Sequence, residues 1–429
     1  MKRINIITLG CSKNIVDSEV LMGQLKTSNY KITHESVTDD SDVVIINTCG
    51  FIEDAKLESI DHILQYAEMK KKGKLEKLYV MGCLSERYRN ELNSEIPEVD
   101  GYYGVHELGS ILKQFEVEYD FTKSYTRTLT TPSHYAFLKI AEGCDRKCSF
   151  CAIPLIRGKH ISKSIEEVIT EAKILADQGV KELILISQDL TYYGVDNYKK
   201  QQLPRLVESI ADLNLFEWIR LHYLYPASFP LDLLEVIRDY SVVCDYIDLP
   251  FQHISGRILN SMNRGIDEMA TWKLIEKIKE ILPHAALRST LICGYPGETD
   301  KEYEELLQFI QQVQFDRLGV FKYSTEEGTT AAKLKDDIPV KVKEKRMEHL
   351  MNIQQEISSE LNKKRINEIH KVLFDRSEGD YYIGRTQYDA PEIDNEVLVE
   401  KGNDKINPGE FKNIRITGAE YFDLYGEVV

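Results

Sequence analysis

The sequence predicts a multidomain α/β protein with three parts: an amino-terminal open parallel α/β sheet, a central full or partial (β/α) barrel and a small carboxy-terminal antiparallel β-barrel. Two series of short β-branched runs alternate with helical patterns, which is typical of parallel sheets joined by right-handed crossovers. Residues 371–429 change to short β-prone runs separated by Gly, Pro, Asn and Asp. The chain of 429 residues is also too long for one hydrophobic core.

The first series predicts an amino-terminal domain over residues 1–125. Its apolar runs are "INIITLGC", "DVVIINTC" and "KLYVMGC", and each ends in a cysteine: Cys11, Cys49 or Cys83. Since ligands of open α/β sheets bind at the carboxyl ends of the strands, we expect the three cysteines to converge. The alternative is that they are buried apolar side chains, because cysteine often packs as a small hydrophobe.

The second series predicts the barrel over residues 130–362, with its functional groups at the carboxyl ends of the strands. Strand patterns occur at 181–189, 218–226, 246–253, 287–298 and 317–324, separated by helical patterns. A charged helix over 340–366 leads to the last domain, predicted over 363–429. The polar stretch "FTKSYTRTLTTPS" (121–133) predicts a linker between the first two domains.

Composition limits the compartment and the partner. The net charge of −16 argues against a broadly basic surface that wraps nucleic acid and favours a basic protein partner. The sequence lacks a signal-peptide core and any apolar run of about 18 residues, so we expect a cytoplasmic monomer. The cytoplasm is reducing, so the eight cysteines are expected to bind metal or to be buried, as we predict for Cys244 and Cys293.

The stretch "EGCDRKCSFCAIP" carries Cys144, Cys148 and Cys151 with the spacing C-x3-C-x2-C. A glycine before it, a proline after it and charged residues within it favour a loop that wraps a metal. A zinc site with one open position is possible, but three thiolates are not the usual set for hydrolytic zinc. An iron–sulfur cluster fits better, because thiolates bind its irons one each and three of them leave one iron open.

This motif, with Phe150 just before the last cysteine, resembles the radical S-adenosylmethionine signature. In that superfamily the cofactor chelates the open iron, and one-electron reduction yields a 5′-deoxyadenosyl radical. The wider pattern "TLGCSKNIVDSE", "INTCGFI", "VMGCLSERY" and "GCDRKCSFCAIPLIRGKHISK" is similar to the methylthiotransferase family over essentially the whole chain. The resemblance implies one 4Fe-4S cluster on Cys144, Cys148 and Cys151, which binds S-adenosylmethionine.

The same resemblance implies a second 4Fe-4S cluster on Cys11, Cys49 and Cys83, and a TRAM-like last domain that binds the substrate. It implies a transferase that inserts a methylthio group at a C–H carbon. An electron donor and a sulfur source are implied as well, neither of which the sequence identifies.

Members of this family modify either an adenosine of transfer RNA or an aspartate of a small-subunit ribosomal protein. Residues 371–429 hold seven basic and thirteen acidic residues, and an acidic domain binds a basic protein better than RNA. Ser12 and Lys13 also stand where the transfer-RNA branch typically has Gln and Met. We therefore expect the β-carbon of a ribosomal-protein aspartate to be the target, with transfer-RNA adenosine, or a non-enzymatic metal-binding module, as the alternatives.

Four further residues are candidates for binding the cofactor, in addition to Phe150. Ser187 and Gln188 follow the second barrel strand and could contact the cofactor's amino group or simply cap a helix. Gly294 could let the backbone approach the adenine or could only form a turn. Arg220 could pair with the cofactor carboxylate or form a structural ion pair.

Overall fold

The computed structural model describes residues 2–26, 29–36, 41–120, 125–402 and 405–429, and it confirms the three predicted architectures. Residues 121–124 of the predicted linker, and Asp404, lie outside the described residues. The strands are β1 (Arg3–Thr8), β2 (Lys31–His34), β3 (Val43–Thr48), β4 (Lys77–Gly82), β5 (Gly101–Tyr103), β6 (Tyr135–Lys139), β7 (Ala141–Glu142), β8 (Ile161–Ser162), β9 (Glu182–Ile186), β10 (Trp218–Leu221), β11 (Tyr246–Asp248), β12 (Ala286–Cys293), β13 (Arg317–Lys322), β14 (Ile369–Glu378), β15 (Tyr381–Arg385), β16 (Glu396–Glu400), β17 (Phe411–Ala419) and β18 (Asp423–Val428). The helices are α1 (Ser12–Leu25), α2 (Glu53–Lys71), α3 (Cys83–Glu95), α4 (Leu108–Lys113), α5 (Ile153–Arg157), α6 (Ile165–Asp177), α7 (Val195–Tyr198), α8 (Leu203–Ala211), α9 (Asp232–Asp239), α10 (Gly256–Ser261), α11 (Glu268–Ile281), α12 (Asp300–Val313) and α13 (Val340–Lys364).

The amino-terminal domain contains a five-stranded parallel sheet in the order β2-β1-β3-β4-β5. All six residues of β3 are buried, because hydrophobic clusters cover both faces of the sheet. The three strands that precede the cysteines, β1, β3 and β4, are direct neighbours with Thr8 beside Asn47 and Thr48 beside Gly82. Their carboxyl ends therefore meet at one edge of the sheet.

The central domain has six parallel strands in two sheets, ordered β10-β9-β6 and β11-β12-β13, with helices packed outside them. A bridge between Ile219 and Val243 links the two sheets, which gives a partial barrel. Helix α1 of the amino-terminal domain packs Val16 against Phe137 and Ile186 of this barrel. The amino-terminal domain thus lies directly against the barrel strands.

The carboxy-terminal domain is a closed barrel in the order β14-β15-β16-β18-β17. Its strand pairs are antiparallel, as predicted, except that β16 and β18 run parallel. It docks on the amino ends of the central barrel strands, where Arg385 pairs with Glu182, the first residue of β9. This domain therefore lies at the end of the central barrel opposite to the carboxyl ends of the strands.

The described part of the predicted linker is packed rather than free. Arg127 is buried and pairs with Glu19 of α1 (3.1 Å) and with Glu171 of α6 (3.4 Å). It therefore joins the first two domains. Of the described helices, none combines the length and the apolar character that a membrane crossing requires.

Candidate metal centres

The structure brings Cys11, Cys49 and Cys83 together at the edge of the amino-terminal sheet. Cys11 caps the start of α1, Cys49 follows β3 directly, and Cys83 is the first residue of α3. A Cβ atom on Gly10, whose φ is 92°, would lie 2.6 Å from the Cβ atom of Cys49. Only glycine permits this approach, so the turn that carries Cys11 can sit directly against Cys49.

Asn14 joins the turns around this first cysteine site. Its fully buried amide nitrogen donates to the carbonyl oxygens of Leu9 (2.7 Å) and Thr48 (3.1 Å), which end β1 and β3. Its Oδ1 atom lies 3.9 Å from Sγ of Cys83. One side chain therefore contacts the turns of all three cysteines, although these are distant in sequence.

Burial controls the protonation of these thiols. It raises the pKa of Cys49, and it raises that of Cys83 to about 12, with nearby Cys11 adding to the effect in both cases. Buried thiols of this kind are protonated at neutral pH. Binding of a metal must therefore displace their protons, as is general for thiolate sites.

The second cysteine site is a loop held at the carboxyl ends of the barrel strands. The backbone nitrogen of Cys144 donates to the carbonyl of Gly158 (3.1 Å), and that of Ser149 donates to Met262 (2.9 Å). Cys148 and Cys151 line the same cavity as Cys144, with a volume of about 370 Å³. Burial raises the pKa of the Cys144 and Cys151 thiols to about 12.

Two side chains contact Cys148 directly. The Tyr225 hydroxyl lies 3.4 Å from its Sγ atom, and Nη1 of Arg264 donates to the same sulfur at 3.3 Å. A donor such as Arg264 stabilises a thiolate or a cluster bound to it, while the Tyr225 hydroxyl donates to the carbonyl of Arg264 (2.8 Å). The sequence contained Arg264 in a stretch of unassigned role, and only the fold brings it to this sulfur.

Three of the five residues predicted to bind the cofactor, Ser187, Gln188 and Phe150, lie near the second cysteine site. Ser187 and Gln188 lie at the end of β9; the hydroxyl of Ser187 and Oε1 of Gln188 are buried without a hydrogen-bond partner among the described residues. Such orphaned polar atoms are costly unless a ligand satisfies them, so both stay candidates. Phe150 packs against the hydrophobic cluster that contains Ile258 and Tyr295.

Arg220 does not lie with the cysteines, so the structure favours the second of the two roles predicted for it. Its fully buried guanidinium pairs with Glu182 (2.7 Å) and donates to the carbonyl of Gln387 (2.8 Å) in the carboxy-terminal barrel. Strand β10 points this side chain toward the amino ends of the strands, so Arg220 forms the structural ion pair that was its alternative.

Gly294 has a φ of 71°, and its nitrogen donates to Glu298 (2.9 Å). A Cβ atom there would lie 2.4 Å from Cγ of Lys343. The turn and this close contact account for the glycine without a ligand. Cys244 and Cys293 are both buried in hydrophobic clusters, as predicted.

A network of charged side chains connects the two cysteine sites. Arg157 is only 2% exposed, and its guanidinium contacts Glu142 (3.0 Å) and Asp17 (3.2 Å) while donating to Oδ1 of Asn14 (2.7 Å). Lys139 bridges the same two carboxylates. Burial alone would raise the pKa of Glu142, but Lys139 and Arg157 hold it well below its usual range.

This network joins the domains because Asp17 and Asn14 belong to α1, whereas Glu142 and Arg157 flank the second cysteine loop. Gln188 also donates to Glu142 (2.8 Å). Sequence reasoning missed the network: the quoted motifs contain Asn14 and Arg157, but no spacing rule pairs residues so far apart.

A second bridge closes the other side of the interface. Glu326, in the loop after β13, is buried and pairs with Arg87 of α3 (2.8 Å) and Lys56 of α2 (3.4 Å). Arg87 also donates to the carbonyl of Gly50 (2.9 Å), next to Cys49. The first cysteine site is thus held against the barrel from two directions.

Both sites fit a multi-iron cluster. Within the described ranges, no three His, Cys, Asp or Glu side chains are grouped tightly enough to hold a single metal ion. A cluster spans several irons and binds one thiolate at each, so its ligands stand further apart. Each site offers three free thiols and a fourth position without a described thiol.

Comparison with known families divides the chain into the same three parts as the fold. Residues 3–104 match an uncharacterized protein family, UPF0004, residues 138–310 match the radical SAM superfamily, and residues 366–429 match the TRAM domain. Radical SAM domains bind S-adenosylmethionine and a 4Fe-4S cluster, and the chain is accordingly a radical SAM enzyme.

Solved structures of low sequence identity share the fold. The radical S-adenosylmethionine methyltransferase TsrM from Kitasatospora setae, with tryptophan substrate and a SAM analog bound, aligns with a TM-score of 0.54 at 12% identity, covering 75% of this chain and 73% of that chain. The cobalamin-dependent radical enzyme OxsB, with aqua-cobalamin and S-adenosylmethionine bound, gives 0.51 at 14% identity, covering 83% and 56%.

Full-length relatives share far more of the sequence. A ribosomal protein uS12 methylthiotransferase RimO of Phocaeicola vulgatus is 54% identical over 432 residues, covering 100% of both chains. Its namesake from Cytophaga hutchinsonii is 52% identical over 427 residues, covering 100% of this chain and 98% of the relative. With such identity over its whole length, the chain belongs to the ribosomal protein uS12 methylthiotransferase RimO family.

Proposed function

We propose that this chain adds a methylthio group to the β-carbon of an aspartate in ribosomal protein uS12. The observation that carries the proposal is the presence of two three-cysteine sites, one on each side of a single domain interface and joined by Arg157. When bound at these sites, two 4Fe-4S clusters and S-adenosylmethionine supply the radical and sulfur chemistry. The residues of the chain hold these groups, exclude water and position the substrate.

Each cysteine set has a separate task in this proposal. Cys144, Cys148 and Cys151 hold the cluster that binds S-adenosylmethionine, while Cys11, Cys49 and Cys83 hold the second cluster. Ser187 and Gln188 supply buried polar atoms beside the cofactor, and Phe150 supports the loop. Inserting a group at a carbon requires both centres to reach the same atom, and the Arg157 network fixes their relative position.

The partner in this proposal is a basic ribosomal protein rather than RNA. The acidic balance of residues 371–429 supports this partner. Fewer of these acidic side chains are free to contact it than the sequence suggests, because Asp375, Asp389 and Asp394 are paired with Arg or His side chains inside the molecule. The carboxy-terminal barrel also lies away from the cysteine sites, so any part of uS12 that it binds is distant from the target aspartate. We further propose action as a monomer in the cytoplasm, with a separate electron donor and sulfur source.

The test compares a strain lacking this protein with the same strain after its restoration. We expect the uS12 peptide that contains the target aspartate to gain the mass of a methylthio group only when the protein is present. Peptide mass spectrometry of small-subunit proteins and nucleoside analysis of transfer RNA are run on the same cells. A methylthio-adenosine with unchanged uS12 would overturn the substrate assignment and leave the two-cluster arrangement in place.

A further inference from the structure

Lys13 is a buried cation that has no anionic partner within the described part of the chain. It is 7% exposed, and its Nζ atom lies 3.0 Å from the centroid of the Tyr223 ring. Among the described residues, none forms a hydrogen bond or an ion pair with this ammonium group. Lysine is almost never buried unless its charge is paired, so the position favours an anion that comes from outside the chain.

The neighbouring cations do not share this feature. Lys139 and Arg157 face the two carboxylates of Asp17 and Glu142, so this group of four side chains is balanced in charge. Lys13 adds one positive charge that the group does not neutralise.

Tyr223 places Lys13 at the carboxyl ends of the barrel strands. Its backbone has a φ of 64°, which is costly for a residue with a side chain, and two hydrogen bonds hold it there. Its nitrogen donates to Asp248 (2.8 Å), and its carbonyl accepts from Leu190 (3.1 Å). Two residues further on, the Tyr225 hydroxyl contacts Cys148, so one short segment connects Lys13 with the second cysteine site.

On its other side, Lys13 belongs to the first cysteine site. It is two residues from Cys11, in the first turn of α1, which contains no acidic residue and has no side-chain cap. The positive end of the helix dipole therefore adds to the charge of Lys13. The Ser12 hydroxyl beside it is buried without a partner among the described residues. The ammonium group thus lies where the two proposed centres meet.

We infer that Lys13 binds the side-chain carboxylate of the substrate aspartate. This inference rests on the proposed function and names the group that positions its substrate. The carbon to be modified is bonded directly to the carboxylate carbon, so a cation that holds the carboxylate fixes the reacting carbon one bond away. The ammonium group lies over the face of the Tyr223 ring, which stabilises the cation in the absence of substrate.

The same contact accounts for the choice of substrate. An adenosine base offers no carboxylate that could pair with this ammonium group. A buried ammonium group favours an acidic side chain and disfavours a neutral one, because the neutral side chain leaves the charge unpaired. Lys13 is therefore a specificity-determining residue of the reaction.

The test measures binding to the anaerobic holoenzyme with both clusters loaded. The ligands are uS12 and a uS12 variant whose target aspartate, located from the methylthio-peptide, is replaced by asparagine. We expect the wild-type holoenzyme to bind the aspartate form about tenfold more tightly, in line with one hydrogen bond to a charged group. In Lys13→Met this preference should disappear, and the kcat/KM for uS12 should fall at least as far.

Lys26→Met is the matched control, since Lys26 lies exposed at the other end of the same helix and should keep the full preference. Iron content and absorbance confirm that Lys13→Met is loaded; if it is not, Lys13→Gln replaces it. An unchanged aspartate preference in the Lys13 variant, or no preference in the wild type, would overturn the inference. Failure of the wild type to modify uS12 at all would instead overturn the proposed function.

Discussion

At the first cysteine site, a single amide side chain determines whether three separate turns form one pocket. The Asn14 side chain has four partners within hydrogen-bond range: it donates to the carbonyls of Leu9 and Thr48, and its Oδ1 atom accepts from Arg157 and lies 3.9 Å from Sγ of Cys83. A buried amide with all these partners stabilises the local fold, while its loss removes a donor from two carbonyls and one acceptor from Arg157, which keeps Asp17 and Glu142. Asn14 therefore affects the pocket more than its distance from any metal suggests.

Replacing Asn14 by Ala should reduce the free energy of unfolding by about 2–4 kcal/mol, because buried partners lose their hydrogen bonds. The first cysteine site should lose its iron before the second, since only its turns depend on this amide. Thermal unfolding and iron content of the loaded protein measure the two effects. Asn93→Ala, on the exposed face of α3, is the control and should change neither; equal losses from both variants would contradict this role.

At the scale of elements, the docking of the carboxy-terminal barrel depends on buried ion pairs. Arg385 of β15 contacts Asp375 of β14 (2.7 Å) and Glu182 of β9 (2.6 Å). Burial alone would raise the pKa of Asp375 and of Glu182, but Arg385 holds both below their usual range. Asp394 behaves in the opposite way, because burial raises its pKa more than Arg288 lowers it.

The lowered pKa values of Asp375 and Glu182 predict a dependence of stability on pH. Their contribution is complete above the unfolded pKa values of about 4 and is lost as the pH falls below them toward the folded values. Arg385→Met should cost about 3–5 kcal/mol at neutral pH, because it removes a shared buried cation from Glu182 and Asp375 and leaves them, among the described residues, with only Arg220 and His134 as partners. The deficit should shrink on acidification, since protonation relieves those carboxylates.

Denaturant unfolding of both proteins from neutral pH down to about pH 3 gives this comparison. Arg376→Met is the control in the same barrel: Arg376 is half exposed and pairs with Glu396 at the surface, so its loss should cost no more than about 1 kcal/mol. A deficit for Arg385→Met that stays constant with pH would mean that the ion pairs do not control docking.

The elements with strong periodicity were predictable from the sequence. The pattern over 340–366 matches α13 within two residues at each end. The short strands β2 and β5 were missed, because they contribute few apolar side chains to the sheet. The parallel pair β16 and β18 could not be foreseen, since strand pairing depends on contacts between distant segments.

Some features of the candidate site were likewise predictable from the sequence, and others were not. The convergence of Cys11, Cys49 and Cys83 was predictable because parallel strands place their carboxyl ends together. The sequence could not decide between the two roles of Arg220, since a four-residue strand does not reveal which end of the barrel its side chain faces. The partners of Arg157 and the unpaired state of Lys13 depend on where α1 meets the barrel, and no local pattern contains that information.

At the scale of the whole molecule, the two outer domains contact different ends of the central barrel strands. The amino-terminal domain meets the carboxyl ends of the strands, where Arg157 and Glu326 fix it, and the carboxy-terminal barrel closes the amino ends. The cysteine sites are thus confined to one interface. Each site is built by its own domain, so loss of one set of thiols should not remove the other.

This separation predicts the iron content of two variants. Replacing Cys11, Cys49 and Cys83 by Ala should leave about four of eight irons per chain, and replacing Cys144, Cys148 and Cys151 should leave the other four. Both should lose methylthiolation of uS12, because the reaction needs both centres at one carbon. Cys244→Ala, which changes a buried cysteine outside both sets, should keep all the iron. If either triple replacement removed all the iron, the two sites would instead form one cooperative unit across the interface, with the Arg157 network as its most direct physical link.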